Sequence, residues 1–97
     1  MIVIKQLEVN GKKILGLEVK NLGKAPLIIA KTDKGYVMCG YLNIEVAEKL
    51  GDAAAIVSGV SSVEELLEKP VKAVTTKARS LGVEPGMTGR EALEKMT

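Results

Sequence analysis

Histidine, tryptophan and phenylalanine are absent from the chain, cysteine occurs once and tyrosine twice. Without histidine there is no Ser-His or Cys-His pair for nucleophilic catalysis. With a single cysteine, Cys39, there is also no zinc finger and no internal disulfide. Acidic residues are plentiful but nowhere spaced like a calcium loop, so neither a metal nor a cofactor is expected. Aromatics make up 2% of residues and the net charge is +2. That is too little stacking surface and too weak a basic stripe for nucleic acid, and no such partner is expected. No apolar run approaches the roughly 20 residues that span a bilayer, and the N-terminus lacks the apolar core and cleavage site of a signal peptide. A cytoplasmic protein with no membrane partner is the expectation.

What is present is ordinary globular composition, 46% hydrophobic and 27% charged over 97 residues, which suits a single domain spanning 1–97. Residues 2–9 and 12–20 predict a hairpin about Asn10-Gly11, a dipeptide that tolerates the positive φ angles of a type I′ turn. The register then follows, with Val9 opposite Lys12, Glu8 opposite Lys13, Ile4 opposite Leu17 and Ile2 opposite Val19. One face is an apolar cluster closed by an ion pair. The other mixes Val3, Leu7, Val9 and Ile14 with Lys5 and Glu18, and few helices are left to cover it. That face is the expected self-association surface, and a homo-oligomer is the expected state.

After the Asn21–Ala25 loop, Pro26 opens a strand whose consecutive apolar residues, 27–30, suit burial on both faces. Asp33-Lys34-Gly35 turns the chain into a second interior strand over 35–41. Asn43 caps a helix to Leu50, with Val46, Ala47 and Leu50 inward and Gly51 at its C-terminal end. Residues 53–57 read as a short buried strand between Gly51-Asp52 and Ser58-Gly59. Ser62 and Glu65 form a capping box for a short helix presenting Val63, Leu66 and Leu67. Pro70 opens a helix with Val71, Val74, Thr75, Ala78 and Leu81 at helical spacing, ended by Gly82. Thr88 and Glu91 box the last helix, which packs Ala92, Leu93 and Met96. The class predicted is α+β: a largely antiparallel or mixed five-stranded sheet, in the order four strands, helix, strand, three helices, with the helices mainly on one side.

The stretches PLIIAKTDKGYVMCGYLN, KLGDAAAIVSGV and GMTGREALEKM resemble the YunC-like family, a group of small archaeal and bacterial proteins defined by a domain of unknown function. The resemblance covers nearly the whole chain and is weakest in the N-terminal hairpin. It implies a compact α+β fold and a prokaryotic cytoplasmic protein. It carries no activity, substrate, cofactor or functional residue to this chain.

Three places are candidates for a site. Cys39 lies near the end of an interior strand and just before a helix N-terminus, where a thiolate is favoured. With no histidine, Tyr41, Asp52 or Lys34 would have to activate it, against the plain alternative of a buried thiol. The strand-to-helix loop Ser58-Gly59-Val60-Ser61-Ser62 offers N–H groups and hydroxyls to a small anion, or simply caps its helix. Arg90 sits in a first helical turn, against the macrodipole, and so has either an anion or an acidic side chain as partner. These features define a self-associating module that binds a small anionic ligand or a partner protein. The alternative is an enzyme using Cys39 as its nucleophile or ligand contact.

Overall fold

The computed structural model describes residues 1–97. Strands β1 (Ile2–Val9) and β2 (Lys12–Val19) form the hairpin in the register the turn dictates, with Asn10 at φ 54° and Gly11 at φ 77°. Strands β3 (Leu27–Lys31) and β4 (Gly35–Met38) continue the antiparallel meander. Helix α1 (Ile44–Leu50) then crosses over to β5 (Ala53–Ile56), which lies parallel to β4. Helix α2 (Val63–Glu68), strand β6 (Ala73–Val74), helix α3 (Thr76–Ser80) and helix α4 (Gly89–Lys95) complete an α+β fold.

The sheet therefore has six strands, in the order β1-β2-β3-β4-β5-β6, and not five. The sixth lies where Pro70 was expected to open a helix running to Leu81. Pro70 instead bridges Thr88, and the backbone beyond it pairs with the free edge of β5. Lys72 N–H donates to the Ile56 carbonyl and Thr75 N–H to that of Ala54. Val71, Val74, Thr75 and Thr76 are β-branched and helix-averse, so a vacant sheet edge outcompetes the helical spacing. Helix begins only at Thr76, capped by the Thr75 hydroxyl, which also donates to the Asp52 carbonyl at 2.6 Å.

One face of the sheet holds the core. Ile28, Ala30, Val37 and Ala55 meet Val63, Leu66 and Leu67 from α2, Leu93 from α4 and Met96 just after it. Each fully buried Leu or Ile supplies roughly 1.5–3 kcal/mol of transfer free energy. Helix α1 is the exception to the one-sided arrangement. It packs against β5 from the far face, where Ala47 and Ala54 are buried apart from the main core. Its cap is as expected, with the Asn43 side chain accepting from Glu45 and Val46 N–H and Gly51 left-handed at φ 77°. Its inward face is not, since Val46 and Leu50 are exposed and Ala47 alone is buried.

The hairpin also presents the opposite face from the one expected. Val9, Ile14 and Glu18 are buried beneath the helices, with Val3, Lys5 and Leu7 half-buried beside them. The face carrying Ile2, Ile4 and Leu15 is the open one. The two charged residues do not keep the inner face wet, because the structure pairs them. Glu18 Oε2 accepts from Lys5 Nζ at 3.0 Å and from Val63 N–H at 2.8 Å, while Lys5 also reaches Glu64 at 2.8 Å.

Candidate functional site

Parallel strands β4 and β5 end side by side, the one place in this sheet with the local geometry that, in open parallel α/β sheets, collects ligands beyond the strand carboxyl ends. From β4 the chain leaves as Cys39-Gly40-Tyr41, and from β5 as Val57-Ser58-Gly59-Val60. Ala25 and Pro26, leading into β3, form the third wall. Together Ala25, Pro26, Cys39, Gly40, Tyr41, Gly59 and Val60 line a cleft of about 300 Å³. Tyr41 ties the walls together, its hydroxyl donating to the Ala25 carbonyl at 3.1 Å. Lys69 stands at the rim, donating to the Gly59 carbonyl at 2.8 Å and lying 3.8 Å from Glu65.

Cys39 is 4% exposed, and its sulfur has a structural task. Cys39 N–H donates to the Ile28 carbonyl in the β3–β4 ladder, but the Cys39 carbonyl is turned away to accept from Leu42 N–H. Ile28 N–H would then be orphaned in the core, at the cost a buried unpaired donor carries. The thiol sulfur takes its place as acceptor at 3.3 Å. Its other polar neighbour is the Pro26 carbonyl at 3.9 Å. Cys39→Ala is accordingly expected to lower stability by about 1–2 kcal/mol. The native thiol is expected to react with a maleimide far more slowly than the unfolded one. Native and denatured reaction rates at neutral pH check this, and equal rates would contradict it.

The cleft brings Cys39, Tyr41 and Gly59 together, but not Asp52. That residue lies at the opposite, amino-terminal end of the β4–β5 pair, where its carboxylate accepts from the Tyr36 hydroxyl at 2.8 Å. Burial, that hydrogen bond and the Asp52 charge push the Tyr36 hydroxyl up to about 12, so it remains a donor and pins the end of α1 to β4. In the loop after β5, the Glu65 carboxylate occupies the position an anion would take. It accepts from Ser61 N–H at 2.7 Å and from the Ser61 hydroxyl at 3.1 Å, and these contacts hold its carboxyl below the usual range. The Ser62 hydroxyl accepts from Glu65 N–H, so the expected box is half made, with Ser61 taking the return bond. Arg90 lies 3.8 Å from Glu68 on the surface. No group of His, Cys, Asp and Glu side chains is arranged to hold a metal ion, and no helix is long and apolar enough to cross a membrane.

The Lys5–Glu18–Glu64 cluster was not singled out from the sequence as a site. Its signal lay in the hairpin register, which puts Glu18 on the same face as Ile14 and therefore inward once that face is covered. Burial pushes the Glu18 carboxyl up, but the Val63 N–H, Lys5 and Lys20 more than offset this and hold it below its ordinary value.

A mixed six-stranded sheet, with α1 on one face and the remaining helices gathered toward the other, defines a small α+β protein with a shallow cleft at its one parallel strand pair. The family model described as a domain of unknown function, DUF1805, matches residues 38–96. The uncharacterized protein YunC of Bacillus subtilis (strain 168) is 37% identical over 100 residues, covering 99% of this chain and 98% of that protein. The crystal structure of a protein of unknown function, TA1206 from Thermoplasma acidophilum, aligns with a TM-score of 0.94 at 37% identity. The alignment covers 100% of this chain and 94% of that one. The chain belongs to this YunC-like family, whose members occur in prokaryotes.

Proposed function

We propose that the protein is a self-associating binding module, with a second copy as the partner of its open sheet side. The observation that carries this is the row Ile2, Ile4 and Leu15, exposed by 64%, 68% and 45% on one face of adjacent strands. Large apolar side chains gathered in this way mark interfaces. The cleft beside Cys39 is the place for a small anion or a carbonyl-rich segment of a partner protein, with the Lys69 ammonium at its rim as the cation it meets. Cys39 as a nucleophile draws no support from a geometry in which both polar neighbours of the sulfur are backbone groups. Light scattering at micromolar concentration is expected to give at least twice the mass of one chain, and a monomer mass would overturn the proposal.

A further inference from the structure

Resting on that proposed self-association, we infer that the contact is made by the β1 edge, two copies pairing antiparallel about a two-fold axis to join their sheets. A sheet edge presents unpaired N–H and C=O groups that other strands recruit, and proteins blunt such edges with short strands, bulges, proline or charged side chains, inward-pointing ones included. The β6 edge is blunted by its length of two residues. The β1 edge is not. It runs eight residues, pairs one-to-one with β2 from Ile2 to Val9 without a bulge, and contains no proline. Its one lysine points inward, where a bare charge would guard the edge, but Glu18 and Glu64 already neutralise Lys5.

The hydrogen-bonding parity of β1 is set at its start, where Lys20 N–H donates to the Met1 carbonyl at 2.8 Å. Closely bonded pairs alternate along an antiparallel ladder, so Val3, Lys5 and Leu7 spend their backbone groups on β2. Ile2, Ile4, Gln6 and Glu8 therefore direct theirs outward, while their side chains lie on the open face. Antiparallel pairing joins outward residues to outward residues. The register that uses all four sets Ile2 against Glu8 and Ile4 against Gln6, with the axis at Lys5. There Lys5 of one copy faces Lys5 of the other, and each ammonium is already neutralised within its own copy by Glu18 and Glu64. Because each copy has a single long edge, the pairing is isologous and stops at two, where head-to-tail joining of two long edges would grow fibres.

Proline separates the edge from other contacts. Gln6→Pro removes an outward N–H and no bond to β2, a place where a sheet edge tolerates it. Gln6→Ala keeps that N–H. Wild type and Gln6→Ala are expected to show a dimer mass, and Gln6→Pro a dimer dissociation constant at least tenfold weaker. A Gln6→Pro dimer as tight as wild type would overturn the edge while leaving self-association standing; a monomeric wild type would overturn both. Should Gln6→Pro fail to fold, amide exchange of the wild-type protein decides. Ile4 and Gln6 N–H groups are expected to exchange slowly at dimer-forming concentrations and faster on dilution, whereas fast exchange in a dimer-mass sample would refute the edge contact.

Discussion

Replacing Gly89 by alanine is expected to destabilise the fold by about 3 kcal/mol, at the upper end of what forcing extra atoms into a packed contact costs. Gly89 opens α4 where that helix crosses the end of α2, and its N–H donates to the Lys69 carbonyl at 3.0 Å. A β-carbon there would run into the backbone carbonyl oxygen of Leu66, with the Leu67 α-carbon close behind. Backbone cannot swing aside as a side-chain tip can, so α4 would have to lift off α2. Leu66 and Leu93, both fully buried, would lose contact with it. Gly40→Ala is the matched control, because a β-carbon at Gly40 meets nothing within 4 Å. Urea midpoints of the two variants measure the difference. A Gly89→Ala change within 0.5 kcal/mol of the control, about the noise of a neutral surface substitution, would show that the crossing yields.

The sequence was most legible where local chemistry decides structure. Asn10-Gly11 set a turn, the turn set a register, and eight residue pairs followed as expected. The Asn43 cap and the Thr88–Glu91 box were legible for the same reason, since each concerns hydrogen bonds within one helical turn. Misreadings arose where the deciding partner is distant in sequence. Residues 71–75 have helical spacing of their own, and it is the vacant edge of β5 that draws residues 72–75 out along it, with Ala73–Val74 as strand. The hairpin's two faces are comparably apolar, so composition alone favours neither for burial. What selects the inner one is a helix N-terminus at Val63 that needs an acceptor and finds Glu18, 45 positions away. At the cleft, Cys39 and Tyr41 are close in sequence and meet, whereas Asp52 belongs to the other end of its strand. Asp52 stands at the amino end of β5 by chain order, and only the parallel pairing of β5 with β4, which nothing local announces, puts that end away from Cys39.

Glu18→Ala is expected to cost about 3 kcal/mol, chiefly because it strips the acceptor from a buried N–H at the start of α2. The carboxylate is 1% exposed and joins three elements: β1 through Lys5, its own strand β2, and α2 through Val63 N–H. Lys5 keeps Glu64 as a partner and is partly solvated, so the lysine's share of the loss is modest. Glu18→Gln retains an acceptor for Val63 but turns donors toward Lys5, and its expected cost is about 2 kcal/mol. The pH dependence follows in sign from the lowered carboxyl. A folded pKa below the unfolded one means that the native state holds fewer protons at this group. Its contribution is then complete above the unfolded value near 4.5 and lost as pH falls through the folded one. Glu64 and Glu65 are shifted in the same direction and add to the acid loss. Lys5, raised by hydrogen bonds to Glu64 and then Glu18, acts oppositely: its contribution is complete below 10.5 and fades as pH rises beyond. Stability should therefore hold level between about pH 5 and 10 and fall on the acid side, with the fall shallower in Glu18→Gln, which cannot titrate there. Chemical denaturation of both proteins at pH 3.5 and pH 7 tests this. An acid loss as steep in Glu18→Gln as in wild type would show that the buried carboxylate is not its source.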